Sequence, residues 1–235
     1  MSEVSENLAV IHEKITAACR RVGRDPESTS LIAVSKNFAA EAVRLAWEAG
    51  QKVFGESKIQ EAASKIELLP SSLQWHFIGR LQRNKVRKVL QSFSVIHAID
   101  SVRLATYSDE IAAELGLTPK VFLQVNIGNE ATKGGFSPER LREEITSLLG
   151  LKQIEILGLM CIPPAEANVE QSRPWFKALR ELRDSLELES KIRLPMLSMG
   201  MSSDYEVAIE EGATHVRVGS AIFGNRRYRV DCELG

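Results

Sequence analysis

Strand-like and helix-like segments alternate along almost the whole of this sequence, and this alternation constrains its fold more than any other feature. Eight short apolar segments, many rich in β-branched or aromatic residues, are separated by segments whose apolar residues recur at helical spacing. Strict alternation requires crossover connections, which join parallel strands, so the sequence predicts an α/β fold. The predicted strands are 31–34, 52–55, 73–79, 93–100, 120–127, 154–160, 193–198 and 214–218.

Eight β/α units are the number that closes a parallel sheet into a (β/α)8 barrel, the TIM barrel. The alternative is an open doubly wound sheet, but no GxGxxG motif follows an early strand. Residues 1–23 are predicted to form an additional N-terminal helix that ends at Gly23. Since no linker rich in Pro, Gly or Ser interrupts the chain, we expect one domain over 1–235, with the barrel spanning 31–226.

Two helix starts carry recognisable capping residues. Ser137-Pro138 combines a serine cap with proline at the first helical position. Ser203 and Glu206 have the spacing of a capping box, and Gly212 is placed to close that helix.

Composition excludes several classes of protein. The 30 Lys and Arg against 31 Asp and Glu give a net charge of −1, which offers no basis for binding nucleic acid or a membrane surface. No apolar run approaches the roughly 20 residues that span a bilayer. The acidic N-terminus does not resemble a targeting peptide, so we expect a cytoplasmic protein. Three scattered cysteines, Cys19, Cys161 and Cys232, indicate neither a disulfide framework nor a metal site.

In such a barrel, functional residues collect where the strands end and the βα loops begin. Lys36 stands two residues beyond the first predicted strand. A lysine in partly apolar surroundings becomes more nucleophilic, as a Schiff-base lysine requires. The alternative is a lysine that points into solvent, and position alone favours it. The other candidates selected by this rule are Ser57, His76, Asn126, Met160, Ser198 to Ser202 and Arg217 to Gly219.

The end of the last strand shifts the balance towards a functional lysine. Gly219 permits close backbone approach and Ser220 adds a hydroxyl and an N–H, so this turn is a candidate phosphate site. Ser198, Gly200 and Ser202 follow the neighbouring strand. An ordinary Gly-containing turn remains the alternative. An aldehyde-reactive lysine beside a phosphate site is the combination that pyridoxal 5′-phosphate (PLP) needs; a cofactor-free Schiff-base aldolase would explain only the lysine.

Arg217 bears on the chemistry of such a site. An arginine does not give up its proton, so beside a pyridine nitrogen it would keep that nitrogen unprotonated and weaken the ring as an electron sink. The alternative is an ion pair between Arg217 and a barrel carboxylate such as Glu56 or Asp204.

Six stretches, in order, resemble the PLP homeostasis protein family, also called PLP-binding barrel proteins. The resemblance implies a barrel like the N-terminal domain of bacterial alanine racemase, PLP held as a Schiff base on Lys36, phosphate contacts around Ser198, Gly219 and Ser220, and Arg217 at the pyridine nitrogen. The matching stretches are AVSK (33–36), FGESKIQE (54–61), WHFIGRLQRNK (75–85), QVNIGNEATKGGF (124–136), GLMCIPP (158–164) and LSMGMSSDYEVAIEEGATHVRVGSAIFGNR (197–226). The full set of predicted cofactor-binding residues is Lys36, Ser57, His76, Ser198, Met199, Arg217, Gly219 and Ser220.

The resemblance implies a regulator or carrier of PLP that affects vitamin B6 and amino-acid balance, without established catalytic turnover. Many members carry Asn-Tyr where this chain has Ser57-Lys58, so the shorter side chain is expected to lose a contact. Arg80 and Arg83 add positive charge to the rim, most simply as a solvated face. Lys133 is either a second aldehyde-reactive site or, as we expect, a loop lysine.

The alternative function is a PLP-dependent amino-acid racemase. Two-base racemisation needs a second acid/base group, which in alanine racemases comes from a C-terminal β domain. This chain ends at Gly235, and we expect that domain to be absent. His76 is a candidate base, although a histidine between Trp75 and Phe77 is more often structural. We therefore expect a non-catalytic PLP carrier that transiently meets apo PLP-dependent enzymes and is a monomer.

Overall fold

Eight parallel strands form a closed barrel in the order of the sequence. The computed structural model describes residues 2–130, 132–164 and 168–224; the expected barrel end at 226, and Cys232, lie outside the described residues. The strands are Ser30–Val34 (β1), Val53–Glu56 (β2), Gln74–Phe77 (β3), Val95–Ile99 (β4), Lys120–Val125 (β5), Glu155–Cys161 (β6), Met196–Met201 (β7) and His215–Val218 (β8). The helices are Glu3–Arg21 (α1), Ala40–Glu48 (α2), Ile59–Leu68 (α3), Val86–Ser92 (α4), Val102–Leu115 (α5), Pro138–Leu149 (α6), Arg173–Ser190 (α7), Tyr205–Glu210 (α8) and Ser220–Phe223 (α9).

The barrel closes where β1 pairs with β8. Ser30 lies opposite His215 and Ala33 lies opposite Val218, with the two strands parallel. All eight predicted strands are present, and the predicted TIM barrel is confirmed. Because parallel strands share one direction, all eight βα loops lie at the same end of the barrel.

Apolar residues pack on both sides of the barrel wall. The larger cluster fills the layer between strands and helices, where residues such as Phe54, Leu159 and Leu197 are completely buried. The smaller cluster lies inside the barrel and includes Phe122 and Met160. The two clusters use alternate faces of the strands, as the twofold side-chain repeat of a strand requires.

The N-terminal helix α1 packs against α8 and α9. Its buried face carries residues at helical spacing from Leu8 to Ala18, and its opposite face is exposed. Asn7 fixes the contact with the last helix by donating to the carbonyl of Ile222 at 3.0 Å, while Arg21 pairs with Glu210 at 2.7 Å. Within the described ranges, no helix has both the length and the apolar character needed to cross a membrane.

One of the two predicted helix caps is confirmed. Ser137 caps α6, because its hydroxyl accepts from the N–H of Arg140. The capping box at Ser203 is wrong: α8 begins one residue later, with Asp204 at the cap position and no side-chain cap bond. The Asp204 carboxylate instead accepts from the N–H of Met201 at 2.7 Å, which ties the end of β7 to the loop that follows it.

Gly158 is a position where the barrel wall tolerates no side chain. A Cβ at this site would lie 1.8 Å from the carbonyl oxygen of Met196 on β7. Gly158→Ala should therefore lower the free energy of unfolding by about 3 kcal/mol, measured by urea denaturation. Gly150→Ala, where the nearest atom would lie 3.3 Å away, should change it by less than about 1 kcal/mol. Equal stability of the two variants would contradict this packing.

Candidate functional site

A pocket of about 340 Å³ opens at the carboxyl ends of β1, β7 and β8. It brings together four of the eight predicted cofactor-binding residues: Lys36, Arg217, Gly219 and Ser220. The remaining lining residues are Val34, Phe38, Ile78, Ile162, Met201, Ser202, Ser203 and Gly224. A concave, half-apolar site with a few convergent polar groups has the character of a small-molecule site.

Lys36 occupies a tight turn directly after β1. The N–H of Phe38 donates to the carbonyl of Ser35 at 3.1 Å, which closes a four-residue turn. The third residue, Asn37, has a φ of 67°, the left-handed conformation that a type II turn requires. Among residues other than glycine, asparagine is one of those that adopt this conformation most readily. The chain thus turns sharply at the lysine, at the mouth of the barrel.

The wall opposite Lys36 consists of small residues and hydroxyl groups. The N–H of Gly219 donates to the hydroxyl of Ser202 at 3.0 Å, which joins the loops after β8 and β7. A Cβ on Gly219 would lie 3.2 Å from the carbonyl oxygen of Val34, so glycine lets the last loop approach β1 closely. Ser220 begins the short helix α9, whose first N–H groups have no acceptor within the helix itself. Hydroxyl and amide donors on this wall suit an anionic group.

Arg217 forms the floor of the pocket and is buried. Its guanidinium donates to the hydroxyl of Ser198 at 2.6 Å and to the carbonyl of Cys161 at 2.8 Å. The alternative ion pair with Glu56 is wrong, because that carboxylate accepts from Lys65 instead. Burial lowers the pKa of Arg217, yet an arginine keeps its proton at any physiological pH.

Behind Arg217, a row of hydrogen bonds crosses the barrel interior. The hydroxyl of Ser198 lies 2.9 Å from Nδ1 of His97, and Nε2 of His97 lies 3.0 Å from Nδ1 of His76. Because Arg217 donates to Ser198, the serine hydroxyl can donate to His97, and His97 can donate in turn to His76. We therefore assign the Nε2–H tautomer to His97.

Both of these histidines are neutral at physiological pH. Burial lowers the pKa of His76 to about 3, with the nearby His215 adding to the effect. The pKa of His97 is also well below its ordinary value, first because of burial and then because of neighbouring positive charge. Arg217 therefore carries the charge in this row of side chains.

Four of the eight predicted cofactor-binding residues do not line the pocket. His76 is buried inside the barrel beneath it, and Met199 lies in the core between strands and helices. Ser57 follows β2, and its carbonyl packs so closely on Gly79 that a Cβ there would lie 2.2 Å away. Ser198 reaches the site only through its bond to Arg217.

Sequence reasoning missed several residues that line the pocket or lie beneath it. Phe38, Ile78 and Ile162 line the pocket, and each follows a strand by only a few residues. The rule that βα loops build the site covers these apolar positions as well, although most of the candidates selected above are polar. His97 was missed because it reads as one residue of a buried strand.

The family model for the alanine racemase N-terminal domain matches residues 7–227. The pyridoxal phosphate homeostasis protein of Aquifex aeolicus is 46% identical over 224 residues, covering 95% of this chain and 98% of its own. The protein of that name from Escherichia coli is 41% identical, covering 97% and 99%. This chain belongs to the pyridoxal phosphate homeostasis protein family.

Solved structures agree with this family and its fold. PipY from Synechococcus elongatus, solved without PLP, has a TM-score of 0.85 and 42% identity over 94% of this chain and all of PipY. The same protein with PLP bound has a TM-score of 0.82 and 41% identity, with the same coverage. An alanine racemase from Clostridium difficile, at 18% identity and a TM-score of 0.75, shares the barrel fold. This chain covers 58% of that racemase.

The neutral histidines make stability depend on pH. An unfolded histidine titrates near 6.5, whereas His76 keeps its neutral form in the fold down to about pH 3, so stability is fully present above 6.5 and declines below it. His76 should contribute up to about 1.4 kcal/mol of destabilisation per pH unit as the pH falls from 6.5 to 4. His76→Gln should flatten the fall in Tm between pH 7 and 5 relative to the unsubstituted protein. Parallel Tm profiles would show that His76 is charged in the fold.

Proposed function

We propose that the protein binds PLP in the pocket at the ends of β1, β7 and β8, and that it buffers, carries or delivers this cofactor. The observation that carries the proposal is the placement of Lys36, Arg217 and the Gly219-Ser220 turn around one cavity. The relatives named pyridoxal phosphate homeostasis protein, and the PipY structure with PLP bound, support it.

The chemistry of the donor set fits PLP. Lys36 offers a primary amine, the serine-rich wall offers donors for a phosphate, and Arg217 offers a fixed cation. The apolar side chains of Phe38 and Ile78 are suited to an aromatic ring, and a cavity of about 340 Å³ is in the range of small-ligand sites. When bound, PLP supplies an aldehyde that reacts with amines and a conjugated ring that can accept electrons. Lys36 would hold it covalently, and Ser220 and Ser202 would hold its phosphate.

The charge of Arg217 supports retention of PLP rather than catalytic turnover. Its guanidinium is fixed by Ser198 and by the carbonyl of Cys161, so it cannot swing away from the pocket floor. A permanent donor at a ring nitrogen leaves that nitrogen without a proton of its own, and the ring then stabilises a carbanion poorly. This arrangement favours a protein that retains the cofactor.

The racemase alternative lacks a second base among the described residues that line the pocket. His76 was the candidate, but it lies inside the barrel, where its Nδ1 is hydrogen-bonded to His97. Its lowered pKa also makes it a poor proton acceptor.

Delivery to apo enzymes, a monomeric state and a cytoplasmic location complete the proposal. A net charge of −1 gives weak long-range steering, which suits brief encounters with many apo PLP-dependent enzymes. The acidic N-terminal segment forms α1 and packs on the barrel, as expected for a folded part of the protein.

Lys36→Ala should abolish covalent retention of PLP. The protein mixed with PLP should be yellow, and borohydride followed by peptide mass spectrometry should place the label on the peptide containing Lys36. Lys133→Ala is the matched control, because this loop lysine already bonds to the carbonyl of Pro163 at 2.9 Å. That variant should keep the label. A colourless protein that cannot be loaded with PLP would contradict the proposal.

The carrier hypothesis and the racemase hypothesis predict different results for the same preparation of PLP-loaded protein. The loaded protein, mixed directly with an apo PLP-dependent enzyme, should restore its activity faster than the same amount of loaded protein kept behind a dialysis membrane, from which only released PLP reaches the enzyme. Racemisation of alanine or serine should not exceed the background given by Lys36→Ala, because none of the described residues that line the pocket is placed to act as a second base. Racemisation that disappears in Lys36→Ala would overturn the carrier assignment.

A further inference from the structure

The turn that carries Lys36 is anchored from outside by a buried ammonium group. Lys65 on α3 has only 4% of its surface exposed. Its Nζ donates to the carbonyl of Ser35 at 2.7 Å, to Glu56 at 2.6 Å and to Glu61 at 2.8 Å. Three acceptors satisfy all three N–H donors of an ammonium group, so this side chain has a single well-defined position.

The two carboxylates of this cluster hold the turn at both ends. The hydroxyl of Ser35 donates to Glu56 at 2.6 Å, on the side before Lys36. On the other side, the backbone N–H of Asn37 donates to the carboxylate of Glu61. The residue before Lys36 and the residue after it are therefore each attached to the same ionic cluster.

Stability alone does not account for this cluster. Buried ion pairs are often no more stabilising than apolar residues of the same size, because desolvation offsets the attraction. The turn itself needs support, since Asn37 has a φ of 67°. The bonds of the cluster end on the two residues beside Lys36, which lines the pocket.

We propose that Glu61 and Lys65 are positioning residues, which lock the turn from Ser35 to Phe38 so that Lys36 presents its amine to the ligand aldehyde. The inference rests on the proposed function, in which Lys36 holds PLP. Neither residue is among those that line the pocket, so their effect should be confined to the reaction of the lysine. A misplacement of about 1 Å in a reacting group costs up to about a hundredfold in rate.

Glu61→Gln tests this directly. The amide oxygen can still accept from the N–H of Asn37, but one of the two carboxylate charges that hold Lys65 is removed. Glu67→Gln is the matched control, because Glu67 is an exposed glutamate on the same helix. The first readout is the rate at which PLP becomes attached to Lys36, measured by trapping the adduct with borohydride at successive times. The second is the Kd for pyridoxine 5′-phosphate, which has an alcohol in place of the aldehyde and binds without a covalent bond.

Glu61→Gln should slow trapping by about tenfold or more and leave the Kd for pyridoxine 5′-phosphate unchanged. Glu67→Gln should alter neither. Normal trapping in Glu61→Gln, or an equal loss of both readouts, would overturn a positioning role. If the unsubstituted protein traps no PLP on Lys36, the proposed function itself has failed, which is a distinguishable outcome.

Lys65→Met approaches the same question from the other partner. Removing the ammonium leaves Glu56 buried without its cation, so the folded fraction is measured first by circular dichroism. Per folded molecule, trapping should fall at least as far as in Glu61→Gln. Trapping at the unsubstituted rate in folded Lys65→Met would contradict the proposal, and if that variant does not fold, Glu61→Gln decides.

Discussion

The pairing of β1 with β8 is the interaction on which the site depends. The two strands lie at opposite ends of the barrel sequence, and their register from Ser30 opposite His215 to Ala33 opposite Val218 closes the sheet. Closure places the turn after β1 beside the loop after β8, so that Lys36 and Gly219 line one pocket. In an open sheet these two loops would lie at opposite edges.

Polar groups buried within the barrel keep the pocket floor rigid. Desolvating Arg217 is costly, and its bonds to Ser198 and to the carbonyl of Cys161 offset part of that cost. The histidines behind it stay neutral, so no second charge competes with the guanidinium. The buried ammonium of Lys65 also carries a desolvation cost, and its bonds to two carboxylates and a carbonyl offset part of it. The hydrogen bonds donated by these buried cations restrict each side chain to one geometry, although one buried oxygen of Glu56 has no hydrogen-bond partner among the described residues.

The elements of the fold could be predicted from the sequence because each strand is a short apolar run between segments with helical spacing. Lys36, Gly219 and Ser220 were accessible for the same reason, since strand ends locate βα loops. The start of α8 was not, because Ser203 and Asp204 are both good capping residues and only the local bond from the N–H of Met201 to the Asp204 carboxylate distinguishes them. Glu56 was named as an alternative partner of Arg217, and sequence spacing alone does not show that Lys65 turns inward from α3 to pair with it.

The central claim is that one pocket holds PLP between Lys36 and the turn after β8. A crystal structure of the protein grown with PLP tests it most directly. The account predicts electron density continuous with Nζ of Lys36, a phosphate against Gly219 and Ser220, and a pyridine ring that reaches Arg217. Density for PLP at another site or on another lysine, with this pocket holding only solvent, would contradict it.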